Sequence, residues 1–240
     1  MSQDRPSARI CQGPNPRRRD EMDISADLAL RIDRLEAAQA VQNLMGKYEY
    51  LHSAYQNAEI VKLFAERDDI IIDMPFGRWN GREAARRCFG VMFEEELTAR
   101  DRRGELAEHT LTTPVIEVAA DGQTAKAVWN SPGHEAHTFF WLPDKPRIAF
   151  WYWCRYAVDF IKTDEGWRIW HLHVYQTWAS EVNSSVVSSE PPTEPPTPNG
   201  WAAPDEALTL ITKYSAEKEP ELIPVPPEPY DSYVEDNHVT

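Results

Sequence analysis

RIAFWYWCRYAVDFI (147–161) and GWRIWHLHVYQTW (166–178), joined by the turn Asp164-Glu165-Gly166, decide the fold of this chain. In the first, Phe150, Tyr152, Cys154, Tyr156, Val158 and Phe160 alternate with Trp151, Trp153, Arg155 and Asp159, so a strand sends the two sets to opposite faces. The first set reads as the lining of a core or cavity. The second is expected to meet another sheet or a subunit. Two more strand-like stretches come before, EHTLTTPVIEV (108–118) and AKAVWNSPGHEAHTFFW (125–141). Asp121-Gly122 is a hairpin turn between them, and Pro143-Asp144-Lys145-Pro146 turns the next pair.

Working toward the N-terminus, the period changes. Asp69–Met74 is a short β-branched run closed by Pro75 and the Gly77 and Gly81 turn signals. Arg82–Glu96 predicts a helix with Ala85, Cys88, Phe89, Met92 and Phe93 on one side. Ala58–Arg67 predicts another. From Ser25, apolar residues recur at three- and four-residue steps through Leu28, Ile32, Leu35, Ala38 and Val41, then Leu44, Tyr48, Leu51 and Tyr55. Gly46 is expected to break this stretch into two helices. Helices first and long consecutive strands after predict an α+β domain, its helices on one face of a curved antiparallel sheet.

The chain is expected to divide into an unstructured tail (1–22), a domain (23–182) and a proline-rich C-terminal arm (183–240). The arm opens on SSEPPTEPPTPNG and carries a short amphipathic piece, Asp205–Tyr214. Trp201, Leu208, Leu210 and Ile211 suit it to docking on the domain or on a neighbouring subunit.

A net charge of −14 over 240 residues argues against a nucleic-acid partner. Three cysteines without close spacing argue against a disulfide framework and fit a reducing cytoplasm. The N-terminal stretch lacks the apolar run of a secretory signal, and no apolar stretch is long enough to span a membrane. GxGxxG, Walker and GxSxG patterns are absent, which argues against nucleotide cofactors and serine hydrolysis. His171-Leu-His173 and HEAH (134–137) are weak metal signals and match no zinc motif, so no metal is expected.

What stands out is imidazole and phenol in a ring-rich sheet. Histidine titrates near neutral pH and serves as acid or base. His109 and His134 stand at the ends of adjacent predicted strands and are expected to face one another across a cavity mouth, although each also reads as a half-buried strand histidine. Tyr48 and Tyr55, seven apart, share a helix face and serve either as core packing or as acid and anchor. Arg78 follows a turn and is a candidate cation for an oxyanion, or a solvated turn arginine. Arg155, in an apolar strand, needs a partner; Asp159, a strand neighbour or a ligand would satisfy it.

Three segments carry a family resemblance: LMGKYEYLHSAYQNAEIVKLFAE, IIIDMPFGRWNGREAARRCF and WCRYAVDFIKTDEGWRIWHLHVY. Over about residues 27–180 the chain resembles the SnoaL-like branch of the nuclear-transport-factor-2-like superfamily. That resemblance implies a cone, a bent sheet wrapped around N-terminal helices with a cavity at the open end. It also implies cofactor-free dehydratases, isomerases, cyclases or lyases, or a non-catalytic binding module. Tyr48 matches the catalytic first-helix tyrosine of bile-acid dehydratases, but Ser53 stands where those enzymes have an aspartate. His109 falls where scytalone dehydratase has one catalytic histidine, His134 near its second, and Tyr156 at a polar pocket position.

The length, the Trp-rich hairpin and the proline-rich arm also resemble the bacterial lignin diarylpropane lyases. The expected activity is cofactor-independent deformylation of a diarylpropane diol to a stilbene, with dehydration or isomerisation of a polyketide or steroid as the alternative. The expected catalytic set is His109, His134, Tyr48 and Arg78. Tyr50, His52, Tyr55, Tyr152, Tyr156 and Arg155 are the expected contacts to a small aromatic substrate. The resemblance further implies a homo-oligomer, a dimer or trimer.

Overall fold

The computed structural model describes residues 16–96, 101–138, 146–187, 200–207 and 214–234. The chain forms two units, one ending at Glu36 and the other beginning at Ala37. Helix α1 (Pro16–Ser53) contributes to both, so the expected tail boundary at residue 22 falls within a helix; residues 1–15 lie outside the described residues. The described part of the first unit is this helix alone, with Ile24, Leu28, Ile32 and Leu35 exposed. The expected apolar stripe is therefore buried only from Ala37 on, at Val41, Leu44, Met45 and Tyr48. Nor does α1 break at Gly46. A glycine inside a helix costs only about 1 kcal/mol, and buried residues on either side of this one outweigh that.

What stops α1 is a change of backbone hand. Tyr55 sits at φ +57°, its N–H bonding to the His52 carbonyl and the Gln56 N–H to the Leu51 carbonyl, both at 2.9 Å. This is the Schellman pattern with tyrosine in the left-handed position that glycine usually takes. The expected helix over 58–67 reduces to α2 (Asn57–Ile60) and a 3-10 turn, Val61–Leu63. Phe64 then bridges to Ile169 and the Ala65 N–H bonds to the Ile169 carbonyl, drawing the chain out into extended backbone. Helix α3 (Arg86–Glu96), wound as a π-helix, buries Cys88, Phe89 and Met92.

The strands are β1 (Ile71–Met74), β2 (Gly77–Asn80), β3 (Leu106–His109), β4 (Thr112–Val118), β5 (Thr124–His137), β6 (Ile148–Thr163) and β7 (Gly166–Glu181). They form one sheet in the order β2-β1-β7-β6-β5-β3, with β4 also on β5. The domain is α+β as expected, but its sheet is mixed: β1 runs parallel to β7, pairing Asp73 with His173. Register shifts at Trp153/Cys154 and Asp159/Phe160 bend the long β6–β7 pair. The segment holding the expected turn at 143–146 lies largely outside the described residues.

On the inner face, Cys154, Tyr156, Val158 and Phe160 of β6 join α1, α3 and Leu172 of β7 in one apolar core. On the outer face Val128, Ala157 and Tyr175 form a second, smaller cluster against Ile223 of the arm. Backbone bonds from Ala120 to Tyr230, Asp121 to Asp231 and Tyr214 to Thr177 hold the arm there. Trp79, fully buried, donates its indole N–H to the Ala202 carbonyl at 2.9 Å. Thus the arm, where described, covers part of the face that was expected to meet a second sheet. Leu208, Leu210 and Ile211 lie outside the described residues.

Candidate active site

Six positions of α1 share the stripe that faces the sheet: Val41, Leu44, Met45, Tyr48, Glu49 and His52. A carboxylate in this series is out of keeping with its neighbours. Glu49 is only 8% exposed, and among the described residues no donor reaches its oxygens with good hydrogen-bond geometry, although the Tyr156 hydroxyl lies close enough to act on it. Burial, tempered by the nearby His109 charge and Tyr156, raises its pKa to about 7. Buried carboxylates are almost always paired, so this one is held in an energetically costly state.

His109, at the end of β3, stands beside it. The ring is buried, its Nε2 lying 2.8 Å from Glu135 Oε1 on β5, while Nδ1 has no hydrogen-bond partner among the described residues. Burial works against the His109 cation, but the Glu135 carboxylate outweighs it and the pKa rises above the ordinary 6.5. Gly133, paired with His109 across the strands, makes room for the ring: a Cβ there would lie 2.4 Å from the Tyr152 carbonyl and 2.7 Å from His109 Nδ1. Glu135 is itself pulled down to about 2; burial opposes this, but His109 and His137 overcome it.

Aromatic rings close around the pair. His52 lies 5.7 Å from the His109 ring and 5.4 Å from Phe93, with Nδ1 2.9 Å from Asn57 Oδ1. Burial and the His109 charge lower the His52 pKa to about 4, so it is neutral at pH 7. Tyr152 meets His109 edge-on at 5.8 Å, and Tyr48 meets Tyr156 at 6.1 Å. Burial first, then the Glu49 charge, pushes both of these phenols well above their usual range, so they stay protonated donors. Tyr55, under the Arg102 guanidinium at 5.0 Å, places its hydroxyl 3.3 Å from His137 Nδ1. A recess of about 390 Å³ bounded by Asn43, Lys47, Lys62 and Arg168 opens elsewhere and contains none of these groups.

Of the expected residues, the fold brings together His109, Tyr48, His52, Tyr55, Tyr152 and Tyr156. It places four elsewhere. His134 pairs across the sheet with Glu108 and Trp151, one residue out of phase with Gly133, so it lies on the opposite face from His109, stacked on Trp151 at 4.6 Å. Arg78 binds Asp73 through both guanidinium arms at 2.6 and 2.7 Å, and Asp73 in turn meets His173 Nδ1 at 2.6 Å. Arg155 faces the arm and donates to the carbonyls of Glu221 and Ile223; Asp159 pairs with His171 instead. Tyr50 is 84% exposed, on the solvent side of α1.

The residues not foreseen are Glu49, Glu135, His137 and Glu105. Glu49 had a signal, a carboxylate at a stripe position of the helix. HEAH reads as a weak metal signal and as an acid–base role for His134 alone, yet its alternation already puts Glu135 and His137 on a face apart from His134.

Residues 33–173, more than half of the chain, match the SnoaL-like domain family, and the chain belongs to it. Among solved structures it is similar to the hexachlorocyclohexane dehydrochlorinase LinA-type3 of Novosphingobium barchaimii, at 14% identity and a TM-score of 0.50, covering 67% of this chain and 99% of that one. A type 2 LinA dehydrochlorinase is similar at 14% identity and a TM-score of 0.51, with coverage of 66% and 97%. At such identities the likeness is one of fold. No curated protein matches the chain in sequence.

Proposed function

We propose that this chain is a cofactor-independent lyase that performs an elimination on a hydroxylated aromatic substrate. The observation that carries the reading is Glu49, a carboxylate buried in the core beside His109, where burial pushes its pKa up to about 7. A carboxyl group held inside a core with its pKa raised toward neutrality has the properties of an acid–base catalyst. At working pH Glu49 is the base and the His109 imidazolium the acid. Tyr48 and Tyr156 donate hydrogen bonds to oxygens of the substrate, and Phe93 and Tyr152 flank its rings.

Within this class we favour deformylation of a lignin-type diarylpropane diol. His109 protonates the benzylic hydroxyl, which leaves as water, while Glu49 takes the phenolic proton; the substrate becomes a quinone methide. Neutral His109 then takes the proton of the primary alcohol. The adjacent C–C bond breaks as formaldehyde forms, and its electron pair returns to the ring. The phenolate recovers its proton from Glu49, leaving a stilbene and both residues in their starting states. The substrate's own ring is the electron sink. The ring-rich surroundings of the Glu49–His109 pair support this reading over the simpler one.

The simpler reading is elimination alone, as in a dehydratase. It is favoured by the fold likeness to proteins described as dehydrochlorinases, whose reaction is an elimination. Incubation with a hydroxyphenyl diarylpropane diol decides between them. Formaldehyde released without added cofactor supports deformylation; loss of water alone supports the dehydratase. Binding without turnover would leave a small-molecule binding module and end the catalytic reading.

A further inference from the structure

His137 lies between two carboxylates. Its Nε2 is 2.8 Å from Glu135 Oε2 and its Nδ1 is 2.9 Å from Glu105 Oε2. An ionised carboxylate only accepts hydrogen bonds, so a carboxylate at each ring nitrogen favours the doubly protonated cation of His137, whose pKa Glu135 and Glu105 raise above the ordinary 6.5 although burial opposes it. Glu105 is suited to hold it: its side chain is nearly fully buried and its other oxygen accepts the Thr138 N–H at 3.0 Å. The remaining oxygen of Glu135 faces His109. The result is an alternating row, Glu105, His137, Glu135, His109, in which one carboxylate is divided between two imidazoles.

We propose that His137 is a positioning residue: a cation fixed between Glu105 and Glu135, it takes one oxygen of Glu135, leaves His109 the other, and so keeps His109 a strong enough acid to give up its proton. The inference rests on the acid role proposed above for His109. Its physical basis is the sharing of charge. Were Glu135 to face His109 alone, its full negative charge would hold the His109 proton more tightly, and an acid too weak for the working pH transfers poorly. The groups that face His109 are Glu49 and His52 from α1, Glu135 from β5 and Tyr152 from β6, and the charge of Glu108, its neighbour on β3, also acts on it. Glu135 is hydrogen-bonded to both His109 and His137, so a change confined to His137 reaches His109 most directly through that carboxylate.

Ring 15N NMR on the full chain, without substrate, reads the proposal directly. In the wild-type protein His137 should carry protons on both nitrogens throughout the pH range in which His109 titrates. In His137→Gln the His109 titration should move up by about one pH unit, a tenfold gain in proton affinity. His137→Lys, which keeps the charge, should restore the wild-type midpoint. A neutral His137 in the wild-type protein, an unmoved or lowered His109 midpoint in His137→Gln, or equal behaviour of the Gln and Lys variants would overturn it. Should His137→Gln fail to fold, the wild-type protonation state decides. These measurements stand apart from turnover. The expected shifts in a protein inactive on every aromatic diol would sink the lyase reading and leave the positioning role intact. Turnover with an unmoved midpoint would do the reverse.

Discussion

His109 and Glu135 hold each other 2.8 Å apart, ring nitrogen to carboxylate oxygen, in a setting where both are almost wholly removed from solvent. The pair leaves His109 Nδ1 without a hydrogen-bond partner among the described residues and keeps the ring beside Glu49. Three expectations follow from that arrangement, and a fourth from the docking of the arm.

Glu49→Gln should abolish turnover, lowering kcat/KM at least about a hundredfold, and yet make the protein more stable above neutral pH. The folded-state pKa of Glu49, about 7, exceeds its ordinary 4.5. Folding therefore favours the protonated form; that contribution is complete below about pH 4.5 and is lost as pH rises through about 7. The loss amounts to about 3 kcal/mol. Urea unfolding at pH 8 should show the variant more stable by up to that amount, with the gap closing by pH 4. Equal stability at both pH values would mean that Glu49 is not a buried, strained acid.

The pH profile of kcat/KM should be bell-shaped. Its acid limb lies near pH 7, where Glu49 ionises, and its alkaline limb where His109 loses its proton, above the ordinary histidine value. Because the two groups interact, the midpoints belong to the pair. A profile that rises monotonically to pH 9 would remove His109 as the acid.

His109→Ala should cost at least about a hundredfold in turnover, while His134→Ala stays within about twofold, since that ring stacks on Trp151 across the sheet. Gly133→Ala tests the same geometry without touching a titrating group. The new Cβ must displace the His109 ring or the Tyr152 backbone, and activity should fall at least about tenfold. Loss of activity in His134→Ala with the fold intact by circular dichroism would put that residue back into the reaction.

Arg155→Ala should loosen the arm and leave the chemistry nearly unchanged. Its guanidinium donates to the Glu221 and Ile223 carbonyls, so limited proteolysis within 214–234 should accelerate several-fold as local opening becomes easier. A rise in KM without faster cleavage would instead make Arg155 a substrate contact.

The alternating aromatic pattern of residues 147–178 placed Cys154, Tyr156, Val158 and Phe160 on the core face before any coordinates, and the helical steps from Val41 to Tyr48 located the opposing layer. Tyr48, His109 and Tyr156 were legible because a polar group inside an otherwise apolar period is visible in one dimension. Gly46 and the 58–67 helix misled because local propensity is weak against packing on either side.

The sequence by itself determined which residues alternate, where the turns fall, and that imidazole and phenol crowd one sheet. Tertiary structure alone decided which imidazoles meet. Strand side chains change face at every residue, so one step of register separates His134, on the outer face, from Gly133 and its neighbour His109 within. That register is set by β3 pairing with β5 across 24 to 30 residues of chain, a long-range choice that no local window contains. The burial of Glu49 is of the same kind: helix periodicity points it inward, but only the packed neighbours strip it of water and so lift its pKa.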